Sequence, residues 1–205
     1  MNKAFISEIV AMEWEMFQNV PNAGGRAACQ NKGATFKVMR TSQLTAWSEP
    51  LLESYKLDLQ EAQVQGRNLL TEKYANMMAW TDPEDYAKIA HLLPELTPAK
   101  KQLIVNITKI HMEWVKEMNE KYPYVREKGR PASSQEDSAY KTSVETYMQG
   151  ELATYSLRTL ELYMSNICEQ QSQNINGAQI VLEATVKAYG YTSLDVANKA
   201  LAPKN

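Results

Sequence analysis

The chain has 205 residues, of which 44% are apolar and 22% charged, so it can bury the core of one domain. Its 22 basic and 24 acidic residues give a formal net charge of −2, which argues against a general binder of nucleic acids or anionic membranes. Two cysteines cannot form a disulfide framework, and no apolar run approaches the roughly 18 residues of a membrane span. Ser7 and Glu8 interrupt the apolar start, which makes a poor signal peptide, so we expect a cytoplasmic protein.

Prolines and capping residues divide the chain into predicted helices. Pro50, Pro83 and Pro98 stand in first turns, where proline is tolerated, and residues 81–84 and 142–145 follow the capping-box pattern. The predicted helices are about 3–19, 34–47, 50–80, 83–92, 98–121, 142–170, 175–189 and 193–201. No segment alternates like a strand, so we predict an all-α, single-domain bundle of about seven to eight helices with essentially no sheet.

Two stretches escape the helical pattern, at about residues 20–33 and 122–141. The first contains Gly24 and Gly25, and the second contains Arg130 within Gly-Arg-Pro. We expect irregular loops there, and loops of this length in a compact domain are often functional or mobile.

Four predicted helices place polar side chains on their apolar faces, where a bare charge is costly to bury. These side chains are Glu13, Arg40, Gln43, Lys73 and Glu145, with Glu151 at the edge of its face. Such a set fits either a buried ion-pair network or a polar cavity inside the bundle. Two of these side chains have an alternative to burial. The aliphatic part of the Lys73 side chain could lie along the core while its ammonium group reaches water, and Glu145 could form a capping box with Thr142.

The histidines do not support a metal centre of the ferritin-like type. Neither His91 nor His111 has a glutamate three residues before it, as the di-iron motif requires. His111 shares an apolar face, as expected of a core or rim histidine. We predict no metal site, with Mg²⁺ held by Glu13, Glu145 and Glu151 as the alternative.

The loop at 20–33 contains three polar candidates. Arg26 could clamp a carboxylate or phosphate, and Gln30 is a further ligand contact. If Cys29 begins the next helix, the helix dipole would favour its thiolate and make it a nucleophile; the alternative is a small buried thiol. In the second loop, Arg130 could sit on a lid over an anionic ligand, and the alternative is a solvated loop.

Short motifs spread along the chain resemble the bacterial family catalogued as domain of unknown function 4125. The motifs lie at residues 13–17, 24–26, 29–30, 39–40, 42–43, 66–69, 72–74, 129–131, 142–147, 150–152, 154–156 and 189–191. Ala28 stands where a serine is usual, and Gln149 where an arginine is common. The resemblance implies a bacterial helical domain and suggests a nucleotidyltransferase-like protein as a partner, but it implies no reaction.

Two function hypotheses remain open. The leading one is an internal polar pocket that binds a small anionic or polar metabolite, with acid–base catalysis as its extension. Its candidate catalytic residues are Glu13, Lys73, Glu145 and Cys29. Its candidate ligand contacts are Arg26, Gln30, Arg40, Gln43, Tyr74, Arg130, Tyr147, Glu151 and Tyr155. The alternative is a non-enzymatic helical interaction module whose buried charges only fix helix register, and homodimerisation is a third; no cofactor follows from the sequence.

Overall fold

Helices account for nearly all of the regular structure. The computed structural model describes residues 3–22, 24–138 and 141–203. Within those ranges its helices are α1 (Lys3–Gln18), α2 (Gly33–Leu44), α3 (Glu49–Val64), α4 (Leu69–Thr81), α5 (Pro83–Ile89), α6 (Pro98–Lys121), α7 (Pro123–Arg126), α8 (Val144–Leu152), α9 (Leu157–Ser172), α10 (Gly177–Ala188) and α11 (Leu194–Leu201). One-turn 3₁₀ helices stand at Ala28–Asn31, Ala90–Leu92 and Ser134–Glu136. Extended pairing among the described residues is limited to one bridge between Ser138 and Lys141, so the all-α prediction is confirmed.

The predicted number of helices, seven to eight, is wrong, because the described residues form eleven. The predicted helix 50–80 is two helices, because Gly66 adopts φ +68° and ends α3. The Arg67 amide then donates to the Ala62 carbonyl and the Gly66 amide to the Gln63 carbonyl, which is a Schellman ending. Asn68 begins α4 by accepting hydrogen bonds from the Leu70 and Thr71 amides.

The predicted helix 142–170 is likewise divided into α8 and α9. Ser156 caps α9 by accepting from the Thr159 amide, and the Ser156 amide in turn donates to Asp58 of α3 at 2.9 Å. The interruption therefore ties the α8–α9 connection to a third helix. A further short helix, α7, lies inside the predicted loop 122–141.

The described helices pack around two apolar cores. The main core is built from α1 to α4, the first half of α6, and α8 and α9. The second core lies under the last half of α6 and is closed by α7, α10 and α11. The 24-residue helix α6 thus contributes to both cores and connects the two halves of the bundle. None of the described helices has the length and apolar character needed to cross a membrane.

Helices α4 and α8 approach each other closely at Gly150. A Cβ atom at Gly150 would lie 2.4 Å from Met77 Cγ and 2.9 Å from the backbone oxygen of Lys73. No larger residue fits without moving the backbone of α4. This contact matters for the interior because Lys73 and Glu151 stand beside it.

We expect Gly150→Ala to lower the free energy of unfolding by about 1–3 kcal/mol, because overpacking outweighs the better helix propensity of alanine. Urea denaturation measures the change. The matched control is Gly24→Ala, since a Cβ at Gly24 meets nothing within 4 Å. Its effect should stay within about 0.5 kcal/mol. Equal effects of the two substitutions would contradict the close approach of α4 and α8.

Candidate functional site

A guanidinium group lies between two carboxylates in the middle of the main core. Arg40 of α2 is only 4% exposed. Its Nε donates to Glu13 Oε2 of α1 at 2.8 Å, and its Nη2 also contacts Glu13 Oε1. Its Nη1 donates to both oxygens of Glu151 on α8, at 2.9 and 3.1 Å. Arg40 therefore links three helices through charged hydrogen bonds.

A second cation completes the charge balance. Lys73 of α4 is 1% exposed, and its Nζ donates to Glu151 Oε2 at 2.6 Å. The same Nζ lies 3.5 Å from the centre of the Tyr147 ring, a cation–π contact. We call Glu13, Arg40, Lys73 and Glu151 the buried charge network. Its formal charge is zero, and its members come from α1, α2, α4 and α8.

Uncharged groups occupy the remaining hydrogen-bonding positions of the network. The Tyr55 hydroxyl donates to Glu13 Oε1 and the Tyr155 hydroxyl to Glu151 Oε1, each at 2.7 Å. Gln43 accepts from Arg40 Nη1 at 2.7 Å. Burial and the adjacent carboxylates raise the pKa values of both tyrosines, so these hydroxyls stay protonated and act as donors.

Opposite charges control the ionisation of the network. Burial alone would raise the pKa of Glu151, but the adjacent Arg40 and Lys73 hold it well below the usual range. Burial lowers the pKa of Lys73, and Glu151 opposes that change. Burial would also lower the pKa of Arg40, yet Glu13 and Glu151 raise it well above its ordinary value. The geometry is that of mutually neutralised ion pairs.

Each side-chain nitrogen and oxygen atom of the network has at least one hydrogen-bond partner. Among the described residues, the buried side-chain nitrogen or oxygen atom without a partner is Thr108 Oγ1, which lies outside the network. No residue of the network lines either of two surface pockets, which have volumes of about 390 and 370 Å³. The four charges form an ion-pair network, which is one of the two arrangements that fit the sequence.

Glu145 does not join these charges, which corrects the sequence analysis. It lies in the first turn of α8, half-buried, and its Oε2 accepts from the Ser134 amide at 2.7 Å. Glu145 shares a helix face with Leu152 but lies two turns earlier, where the preceding loop covers the helix end. The structure therefore does not bring Glu13, Glu145 and Glu151, the three carboxylates of the Mg²⁺ alternative, together. No cluster of three potential metal ligands occurs in the described ranges.

The predicted residues of the loop at 20–33 lie outside the network. Cys29 is exposed in the one-turn 3₁₀ helix and precedes α2, which begins at Gly33, so it is not a helix-start thiol. Buried Gln30 donates to the carbonyls of Phe17 and Val20, at 2.9 and 3.0 Å, and thereby caps the end of α1. Ala23 lies outside the described residues.

Exposed Arg26 also serves the loop itself. It donates to the Gln30 carbonyl at 2.9 Å and to Asn31 Oδ1 at 2.9 Å, and it contacts the Gln18 side chain. These contacts occupy several of the guanidinium donors. Arg26 and Gln30 therefore appear in the structure as residues that close the loop between α1 and α2.

Three other predicted residues lie where the network approaches the surface. The ring of Tyr147 on α8 contacts the Lys73 ammonium of the network. The guanidinium of exposed Arg130 also lies against this ring, with its Cζ atom 4.5 Å from the ring centre. Tyr74 is half-buried on α4, and burial together with the neighbouring Tyr147 hydroxyl raises its pKa. These residues connect the interior charges to the loop that contains Arg130.

Tyr55, which donates to the network residue Glu13, is the hydrogen-bond donor that the sequence analysis missed, because a tyrosine on an apolar face is equally consistent with plain packing. Its ring packs with Trp47 and Tyr155, at centroid distances of 5.4 and 4.9 Å. A tyrosine opposite a buried carboxylate is expected to donate a hydrogen bond to it. The sequence predicts that contact only when the helix that faces the carboxylate is known.

Comparison with curated proteins and with solved structures finds no match. A family model matches residues 3–199, a range that contains all four charged residues of the network and both surface pockets. The chain therefore belongs to the family described as Protein of unknown function (DUF4125).

Proposed function

We propose that this chain is a non-enzymatic helical interaction module of the bacterial cytoplasm, in which the buried charge network fixes the arrangement of the helices. The observation that carries the proposal is the mutual neutralisation of Glu13, Arg40, Glu151 and Lys73. Each charge is directed at another network member rather than at a space that a ligand could enter.

A general acid or base has to come within hydrogen-bonding distance of its substrate. Glu13 is fully buried, Glu151 is 4% exposed, and both accept hydrogen bonds from Arg40 and from a tyrosine hydroxyl. Lys73 is committed to Glu151 and to the Tyr147 ring. The lowered pKa values of Glu151 and Lys73 are also typical of structural ion pairs, and the closed geometry favours that role here.

The outer surface offers apolar groups for a protein partner. Near the end of α4, Trp80 is 48% exposed, and Leu92, in the 3₁₀ turn that follows α5, is 72% exposed. Leu92 stands between His91 and Leu93, which line the pocket of about 390 Å³ between α4, α5 and the start of α6. Exposed apolar groups around a concavity favour protein contact. The partner that the family resemblance suggests is a nucleotidyltransferase-like protein.

A double-mutant cycle tests the structural role of the network. We expect Glu13→Gln and Lys73→Met each to lower the free energy of unfolding by about 3–5 kcal/mol, because each leaves an uncompensated buried charge. The double variant is charge-balanced around the remaining Arg40–Glu151 pair. Its cost should fall short of the sum of the single costs by about 0.5–3 kcal/mol in urea denaturation.

The surface ion pair of half-buried Lys56 and exposed Glu8, joined at 2.6 Å, provides the control cycle. Its coupling should be about 0.2–1 kcal/mol, because solvent screens surface ion pairs. Strict additivity of Glu13→Gln and Lys73→Met would contradict the proposal that these charges act as one network.

The acid dependence of stability should follow Glu151. Because its pKa is lowered in the folded state, its contribution is present above the unfolded value of about 4.3 and is lost as the pH falls through the folded value. The stability difference between the wild type and Glu151→Gln should therefore be largest near neutral pH and shrink below about pH 4. Unfolding free energies measured between about pH 7 and pH 3 test this.

Glu15→Gln is the matched control for this titration, since Glu15 is an exposed carboxylate on α1. Its stability difference from the wild type should stay within about 0.5 kcal/mol throughout. A difference for Glu151→Gln that grows on acidification would show that the native state favours the protonated carboxyl.

A thermal-shift screen tests the proposed function directly. The wild type and the Glu13→Gln/Lys73→Met variant are compared against nucleotides, anionic metabolites and divalent cations. Any compound that raises the melting temperature of the wild type should raise that of the folded double variant equally, because binding to the native state stabilises it at whichever site is used. A compound that stabilises only the wild type would make the network a ligand site and overturn the proposal.

A further inference from the structure

The second surface pocket contains cations that the buried charge network does not use. It has a volume of about 370 Å³ and lies beside α7, between the end of α6 and the loop that leads to α8. We call it the α7 pocket. Its charged and amide-bearing lining residues are Asn119, Arg126, Glu127, Arg130, Glu136 and Lys141. Three cations and two carboxylates give the lining a net positive charge.

Arg126 is the most enclosed of these cations. Its side chain is half-buried, and its Nε donates to Asn119 Oδ1 at 2.7 Å. Its Nη1 atom lies close to Gly129, because a Cβ atom added to Gly129 would be 3.7 Å from it. Burial lowers the pKa of Arg126, as expected of a cation without a nearby counter-charge. Burial and Arg126 together lower the pKa of His111 to about 4, so His111 adds no charge near neutral pH.

Arg130 supplies a second guanidinium to the α7 pocket. Its Nη1 donates to the Thr142 carbonyl at 3.1 Å, and its Cζ lies over the Tyr147 ring at 4.5 Å. These contacts hold the planar group in place and leave donors unused, since a guanidinium has five.

Neither guanidinium in the α7 pocket has a carboxylate partner within the described part of the chain. Glu127 and Glu136 line the pocket, but neither forms an ion pair with Arg126 or Arg130. By contrast, Arg67 pairs with Glu72 at 2.7 Å although it is only partly buried. Two arginines that line one concavity therefore have no carboxylate partner among the described residues.

Hydrogen bonds hold the walls of the α7 pocket in position. The Val144 amide donates to the Pro131 carbonyl at 2.8 Å, and the Ser134 amide donates to Glu145. Asn198 of α11 accepts from the first amides of α7, those of Tyr124 and Val125, at 3.0 and 3.2 Å. A pocket that is formed before binding loses less entropy when its ligand arrives.

We propose that the α7 pocket binds a small oxyanion, a phosphate or carboxylate group, between Arg126 and Arg130. The planar fork of arginine matches the paired oxygens of either group, and the half-buried position of Arg126 strengthens the attraction. The volume is sufficient for a small metabolite. The site is separate from the buried charge network, and the proposal does not depend on the function proposed above.

Isothermal titration calorimetry at low ionic strength and pH 7.5 tests the site, with inorganic phosphate and citrate as the two probes. We expect at least one probe to bind the wild type. Arg126→Gln and Arg130→Gln should each weaken that binding about tenfold or more, through the loss of a charged hydrogen bond. Phosphate binding alone identifies a phosphate-bearing ligand, and citrate binding alone a carboxylate.

Lys128→Gln is the matched control, because exposed Lys128 lies in the same segment without lining the pocket and the charge change is the same. It should bind the probe like the wild type. Circular dichroism verifies that each variant is folded, and exposed Arg130 is the safer substitution if Arg126→Gln unfolds. The proposal is overturned if neither probe binds, or if Lys128→Gln weakens binding as much as Arg130→Gln does.

Discussion

The bundle depends on the position of one guanidinium group. Arg40 is shared between Glu13, 27 residues before it, and Glu151, 111 residues after it. Lys73 then ties α4 to the same Glu151 across 78 residues of sequence. Apolar packing alone tolerates small shifts between helices, whereas a shared bidentate arginine does not, because each lost hydrogen bond leaves a buried charge unpaired. The network therefore fixes the relative positions of α1, α2, α4 and α8.

The close approach of α4 to α8 and the network depend on each other. Gly150 precedes Glu151 directly, and its missing side chain lets α8 lie against the Lys73 backbone and Met77. That approach brings the Lys73 ammonium to 2.6 Å from Glu151. A larger residue at position 150 would separate the helices and lengthen the ion pair. Steric fit and charge pairing thus constrain the same contact, and neither is sufficient alone.

The sequence predicts the inward charges well because helical periodicity tests them directly. Glu13, Arg40 and Lys73 each interrupt an apolar face, and each is buried in the structure. Helical periodicity does not show how far along the helix axis a residue lies. It therefore predicts that Glu145 faces the core, whereas Glu145 lies at the start of α8 and contacts the preceding loop.

Two helix interruptions escaped the sequence analysis because the apolar pattern continues across them. The glycine that ends α3, Gly66, and the residue that caps α4, Asn68, are only two residues apart, and at Ser156 one hydroxyl caps the next helix. Pairings such as Tyr55 with Glu13, 42 residues apart, require knowledge of which helices face each other. A single sequence does not contain that information in its periodicity.

The charges inside the bundle and the charges at its surface have different consequences for function. Inside, two cations meet two carboxylates, and the low dielectric makes any unpaired member costly. At the α7 pocket, half-buried Arg126 and exposed Arg130 have no carboxylate partner in the described structure. Arg130 also contacts the Tyr147 ring, which has Lys73 of the network over it. An anion that moved Arg130 would therefore change the environment of Tyr147, and through that ring surface binding would reach Lys73 of the buried charge network.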